Sequence, residues 1–328
     1  MSLSSRQHAQ IMDIYSRHRQ SGIITGQKRQ EEIYDILPEI RRIDNQIAHI
    51  SLEKARYMVL HPGEDKKEEL HKEILDLSMA KLDLLVTHGY PPDYLDPVYT
   101  CPLCRDTGYT DKGRCTCFNQ YASEILTEQS NLKDIRKDAC FFAFRTDYYS
   151  DIPTQKHPVS PLENIKKILS ECHKYISVFD KCPGDNLLIY GNAGVGKTFL
   201  SICIGGELLD RGKSVIYLSS YQFFHQLEEY TFHREDHSED TLSELLNCDL
   251  LIIDDLGTEM NNAFINSRLF SCINERILRK KSTIINTNLS LKQISRTYSE
   301  RISSRIIESY RLLHIYGDDI RIKKAVSD

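Results

Sequence analysis

Asn186-Leu187-Leu188-Ile189-Tyr190-Gly191-Asn192-Ala193-Gly194-Val195-Gly196-Lys197-Thr198 is the stretch on which the reading of this chain turns. Its second part is the phosphate-binding pattern G-x-x-x-x-G-K-[ST]. Asn186–Tyr190 is short, apolar and β-leaning, and Phe199–Arg211 reads as a helix closed by Gly212. Strand, glycine loop and helix therefore follow in the order a nucleotide site needs. Glycines let backbone N–H groups turn toward phosphates, and a helix N-terminus adds its positive dipole. Lys197 would reach the β- and γ-phosphates of ATP, and Thr198 would hold Mg²⁺.

Working downstream, apolar runs recur at Val215–Leu218, Leu250–Ile253, Thr283–Ile285 and Arg311–Ile315, with helical stretches between them. That rhythm predicts an α/β fold, a parallel sheet flanked by helices, with nucleotide at the strand ends. The third run ends in Asp254-Asp255. After a phosphate loop, such a pair supplies a Mg²⁺-holding carboxylate, Asp254, and a second, Asp255, that orients or deprotonates the attacking water. Two acids after a strand also serve as a cap or turn. Asn288 follows the fourth strand, where a polar side chain can touch the γ-phosphate or its water. Arg301 and Arg305 share a helix face at i and i+4. Exposed arginines usually have no special task; in an oligomeric ATPase one can reach a neighbour's γ-phosphate.

Upstream, an amphipathic helix over Pro161–Val178 opens an ATPase domain spanning 161–328, with Leu162, Ile165, Ile168, Leu169 and Ile176 as its apolar positions. Residues 121–160 read as a connector, beginning within a helix-like stretch over Asn119–Glu128. The connector's aromatic run, Phe141, Phe142, Phe144, Tyr148 and Tyr149, suits either docking near the nucleotide base or covering a domain seam. Before it, over residues 96–120, lies Cys101-Pro-Leu-Cys104, then ten residues, then Cys115-Thr-Cys117. Two close pairs across a hairpin can put four thiolates around one Zn²⁺, a closed and therefore structural site. Unligated thiols or a redox pair are the alternative. Residues 1–95 carry almost no strand signal. Ile33, Ile36, Leu37, Ile40, Ile43, Ile47 and Ile50 mark one helix face, with Pro38 a kink or a helix start. His61-Pro62-Gly63 breaks the pattern, and a second helix follows with Leu70, Ile74, Leu77, Leu82 and Leu85 inward.

With 328 residues there is room for two domains. A net charge of −5 excludes a polycation, so nucleic-acid contact would come from a local patch. No apolar run approaches a membrane span, and Met1–Gln20 has no signal-peptide core, so the chain reads as cytosolic. Six of the ten cysteines are scattered through stretches that look like core or helix and read as free thiols.

Taken together, Asn186–Thr198, Leu251-Ile-Ile-Asp254-Asp255-Leu-Gly257-Thr-Glu259, Asn286-Thr287-Asn288-Leu289 and Glu300-Arg301 with Ser304-Arg305 resemble the AAA+ ATPases of the bacterial helicase-loader group, the DnaC/DnaI type. The cysteine module resembles the zinc-bearing N-terminal domain of the DnaI-like branch. The resemblance covers residues 95–328 well and the first 95 in general character. It implies a AAA+ P-loop NTPase core with little or no C-terminal lid, behind a helical N-terminal domain with a zinc knuckle. It implies Asn288 as sensor I, Arg305 as arginine finger with Arg301 the competitor, and Arg321 as a sensor-II-like arginine. Its implied partners are the replicative hexameric DNA helicase, single-stranded DNA and further copies of the chain in an ATP-bound oligomer. DNA contact would come from about Tyr221 to Glu239 and from Arg276, Arg279 and Lys280. The implied function is ATP-dependent helicase loading with slow, partner-stimulated hydrolysis. An IstB-like transposition helper, or a zinc adaptor whose ATPase is a switch with negligible turnover, are the competing readings.

Overall fold

The computed structural model describes residues 3–60, 66–232, 238–259 and 262–327. The chain divides into two compact units, Ala9–Phe118 and Asn119–Asp328, the latter joined by Met1–His8.

The first unit is built on α1 (Ser5–Ile36), α2 (Pro38–Leu60) and α3 (Lys66–Thr87). Pro38 opens α2, the one helical position where its missing N–H costs nothing. Ile33, Leu37, Ile40 and Leu85 form the core, with Tyr34, Leu84, Tyr90, Tyr94 and Leu95 packed against it. Two expected core residues face solvent instead. Ile36 is the last residue of α1, where the helix breaks and its face ends. Leu82 is 47% exposed because Lys81 takes the inward position. The Lys81 Nζ lies 2.6 Å from Asp44 Oδ1, and Asp44 Oδ2 accepts the Tyr34 hydroxyl at 2.8 Å. The His61-Pro62-Gly63 break lies outside the described residues. The unit continues through the hairpin β1 (Tyr109–Thr110) and β2 (Gly113–Arg114), with Thr110 opposite Gly113. Next comes α4 (Thr116–Gln129).

The second unit carries α5 (Pro161–Val178), β3 (Asn186–Tyr190), α6 (Lys197–Asp210), β4 (Val215–Ser219), α7 (Ser220–Phe232), α8 (Ser238–Asn247), β5 (Leu250–Leu256), α9 (Ala263–Leu278), β6 (Ser282–Thr287), α10 (Leu291–Thr297), α11 (Glu300–Ser309), β7 (Tyr310–His314) and α12 (Ile320–Ser327). Ser160 caps α5 by accepting the Glu163 N–H, and Pro161 fills its first turn. The five long strands form one parallel sheet in the order β4-β5-β6-β3-β7. Strand residues alternate between the two faces. Leu187, Ile189, Leu250 and Ile252 meet Ile165, Ile168, Leu200 and Ile204 on one side. Leu188, Leu251, Ile253 and Ile285 meet Phe223, Leu269, Ile302 and Ile306 on the other. Both faces are covered by helices, which is why residues 187–190 and 250–253 run apolar without alternation.

Arg276 corrects another expectation. It is fully buried rather than offered to DNA. Its guanidinium donates to Leu245 O at 2.5 Å, Thr283 Oγ1 at 3.0 Å, Cys248 O at 3.3 Å and Ser282 O. It thereby ties the end of α8 to α9 and to the start of β6. Arg279, one residue past α9, is exposed and reaches Asn247 Oδ1 at 2.9 Å. Arg276→Ala would strand several buried carbonyls. We expect chemical denaturation to show a loss of about 3 kcal/mol for Arg276→Ala, against a change within about 0.5 kcal/mol for Arg279→Ala.

Candidate functional site

The glycine loop runs from the C-terminal end of β3 into the first turn of α6. Gly191 has φ 149°, and a Cβ there would stand 1.8 Å from the carbonyl oxygen of Ile315. Only glycine lets the loop pass this close to the end of β7. The Ile320 N–H donates to Gly194 O at 3.0 Å, so the start of α12 rests on the loop.

Lys197 is 5% exposed. Its ammonium donates to Gly191 O at 2.9 Å, Asn192 O at 2.6 Å and Asn288 Oδ1 at 2.6 Å. Burial pulls its pKa below the ordinary lysine value, while the charges of Asp255 and Asp254 pull the other way. A buried cation held by neutral oxygens is a ready seat for an anion.

Asp254 and Asp255 stand where β5 slips register against β6, between Ile253 and Leu256. Such an irregularity re-aims side chains at a strand end. Asp255 adopts φ 54°, a left-handed conformation that aspartate tolerates better than most residues. Its carbonyl is fixed by the hydroxyls of Thr258 at 3.0 Å and Ser220 at 3.2 Å. Burial and then the neighbouring Asp254 charge push the Asp255 carboxyl above the ordinary range. Asp254 accepts from Thr198 Oγ1 at 3.1 Å, Tyr217 Oη at 2.6 Å and Asn286 Nδ2 at 2.6 Å. Burial, with Asp254 beside it, keeps the Tyr217 hydroxyl protonated.

These groups meet at a cleft of about 580 Å³ lined by Ala193, Gly194, Gly196, Lys197, Thr198, Asp255, Asn288 and Arg321. Asn192 joins through its carbonyl on Lys197, and Val195 is buried beneath the loop. Ile135, Phe144, Arg145, Tyr148 and Lys324 complete the opposite wall, and of these only the two aromatic residues stand out in the sequence. The aromatic run lies against the cleft and the loop within this unit. Phe144 and Tyr148 line the cleft, while the Tyr149 hydroxyl donates to Val195 O at 2.8 Å and Phe141 packs on His173. Phe142 faces solvent. Tyr217 and Asn286 were also missed. The polar run Asn286-Thr287-Asn288 at the end of an apolar strand carried a signal for the second of them. Arg301 and Arg305 lie on α11, outside the residues lining this cleft, and Arg305 pairs with Glu308 at 3.3 Å.

Residues 176–327 match the family model of the IstB-like ATP binding protein. This segment is therefore similar to IstB-like ATP binding proteins and, over part of its length, to DnaC. The replicative helicase loader DnaC of Escherichia coli (strain K12) is 29% identical over 139 residues, 42% of this chain and 56% of DnaC. The chromosomal replication initiator protein DnaA of Campylobacter concisus (strain 13826) is 36% identical over 124 residues, 38% of this chain and 28% of DnaA. A crystal structure of the DnaC helicase loader aligns at 23% identity and TM-score 0.46, covering 56% of this chain and 99% of that one. The chain thus spans between 28% and 56% of the length of these curated relatives. Among the described residues no helix is long and apolar enough to cross a membrane.

In the first unit the Sγ atoms of Cys101, Cys104, Cys115 and Cys117 all lie within 4.8 Å of one another. Cys104 and Cys117 are 3.5 Å apart, and Cys101 and Cys115 are 3.9 Å apart. Four thiolates at about 2.3 Å from a tetrahedral Zn²⁺ sit about 3.8 Å from each other, so the cluster fits zinc. Supporting donors surround the sulfurs. The Gly108 N–H points to Cys104 Sγ at 3.3 Å, and Tyr15 Oη lies 3.0 Å from Cys117 Sγ. The buried Asp106 carboxylate accepts the N–H groups of Thr100 and Cys101 at 2.9 and 2.8 Å, shaping the turn. None of the ten cysteines forms a disulfide. Of the six outside the cluster, Cys140 and Cys182 are exposed rather than in the core. We expect elemental analysis of protein purified without chelator to give about one zinc per chain, and Cys104→Ser to lose most of it. Zinc-free wild-type protein would contradict the assignment.

Proposed function

We propose that this chain is an ATP-switched loader of a replicative DNA helicase. The reading is carried by the convergence of Lys197, Thr198, Asp255 and Asn288, from three different strand ends, on one cleft in a domain related to DnaC. Lys197 exchanges its carbonyl partners for phosphate oxygens. Asn288, released from Lys197, turns to the γ-phosphate or its water. Asp255 takes the proton of the attacking water, a task suited to a carboxylate more basic than usual. Thr198 and Asp254 would hold Mg²⁺, which when bound neutralises charge on the β- and γ-phosphates. Arg321 and Lys324 add positive charge on the far side of the cleft. Arg305, with Arg301 as competitor, completes the site of a neighbouring copy in an ATP-bound oligomer. The helical region with its zinc knuckle binds the helicase, and the ATPase domain contacts single-stranded DNA. Arg279 and Lys280 remain candidates for that contact, whereas residues 233–237 of the proposed stretch lie outside those described.

A second reading, a transposition helper ATPase, is favoured by the name of the matching family model. The partner separates the two. We expect the host's replicative helicase to be retained by the immobilised chain in the presence of ATP. Capture of a transposase with no helicase would favour the helper. Asp255→Asn should keep ATP binding and lower hydrolysis by a factor on the order of 10² or more. Because the Asp255 carboxyl is raised and the ionised form is the base, wild-type hydrolysis should fall on acidification at a pH above the ordinary carboxylate value of 3.8. Absence of hydrolysis in wild type, even with DNA and helicase present, would leave only the nucleotide-gated adaptor.

A further inference from the structure

Asp254 is in register with Ser219 of β4, but the ladder to β6 slips just after Ile253, so on that side the backbone does not fix where its carboxylate points. Side chains do that. Thr198 Oγ1 approaches both oxygens at 3.1 Å, from the side of the glycine loop. The two short bonds come from neighbouring strands: Asn286 Nδ2 on Oδ1 at 2.6 Å from β6, and Tyr217 Oη on Oδ2 at 2.6 Å from β4. Ser219 is opposite Asp254 and Tyr217 opposite Ile252, so Tyr217 and Asp254 are diagonal neighbours on one sheet face, a spacing an aromatic side chain can bridge.

Tyr217 is itself held at an unusual place. It lies on the edge strand, yet both of its outward backbone groups are paired. Its N–H donates to Ser130 O at 2.9 Å, and its carbonyl accepts Asn131 Nδ2 at 3.2 Å. Ser130 is fully buried, and Asn131 takes a left-handed turn with φ 59°. The ring therefore springs from a clamped strand position rather than a free edge. Asn286 divides its amide between Asp254 and Ser201 Oγ at 2.7 Å, whereas Asp254 is the acceptor found for the Tyr217 hydroxyl.

We propose that Tyr217 is a positioning residue for the metal-holding carboxylate, its hydroxyl fixing Asp254 so that the carboxylate meets the cation in one orientation beside Thr198. This rests on the assignment of Asp254 as a Mg²⁺ holder made above. Outer hydrogen bonds of this kind orient metal ligands, and their loss commonly weakens metal affinity 10–100-fold. Tyr217→Phe removes the hydroxyl and leaves the ring, so packing of the sheet is retained.

The test uses the full chain with ATP and Mn²⁺ as a paramagnetic substitute, free Mn²⁺ being followed by electron paramagnetic resonance. We expect Tyr217→Phe to bind Mn²⁺ about tenfold more weakly in the ATP complex. ATP affinity measured in chelator should change less than twofold, and kcat should fall with little change in KM for ATP. A residue that only packs would leave the Mn²⁺ titration where it is. Equal Mn²⁺ affinity for Tyr217→Phe and wild type overturns the proposal. If wild type binds ATP but takes up no Mn²⁺ with it, the metal role of Asp254 falls first, and that of Tyr217 with it.

Discussion

A single buried ammonium organises the nucleotide domain. Lys197 sits nearly out of solvent and is satisfied by two loop carbonyls and by Asn288. Those three acceptors come from the glycine loop and from the residue after β6, so the lysine joins two strand ends before any ligand arrives. None of the three is charged. The electrostatic balance comes from Asp254 and Asp255 further along the sheet, both of which pull its pKa up against burial. The site is assembled and polarised before a ligand arrives, with the Asp319 carboxylate standing beside Gly194 as a further negative charge acting on Lys197.

The second constraint is the slip in β5. A regular ladder would place successive side chains on opposite faces of the sheet. Here Asp254 turns inward to Thr198, Tyr217 and Asn286, while Asp255, with its left-handed backbone, faces the cleft. The two carboxylates therefore occupy different environments. One is saturated with donors, and the other is raised by burial and by its neighbour. Under the proposed function, that difference lets one strand end supply both a metal ligand and a base.

Much of the ATP-binding domain was legible in the sequence because its central strands are buried on both faces and so carry apolar runs. β3 and β5 are the clearest examples, and the Gly191–Thr198 pattern points to the strand end where the cleft lies. What escaped depends on neighbours remote in sequence. Arg276 looks like any cationic residue near a helix end, and nothing near it shows that Leu245, Cys248 and Ser282 surround its guanidinium. Tyr217 has the composition of an ordinary edge-strand residue until Asp254 is found diagonal to it. The wall made by Phe144, Arg145 and Tyr148 was visible only as an aromatic run with two possible uses. In the helical unit the apolar stripe was read one step off at Leu82, since periodicity cannot show that a lysine and an aspartate pair between helices.

Calorimetric titration of the full chain with ATP and Mg²⁺, compared with Lys197→Ala, tests the central assignment most directly. We expect saturable binding to wild type at one site per chain. Lys197→Ala should lose on the order of tenfold or more in affinity, since the residue's charge is the preassembled anion partner. Unchanged affinity in Lys197→Ala, with the variant folded to the same unfolding temperature, would contradict the assignment of this loop as the nucleotide site.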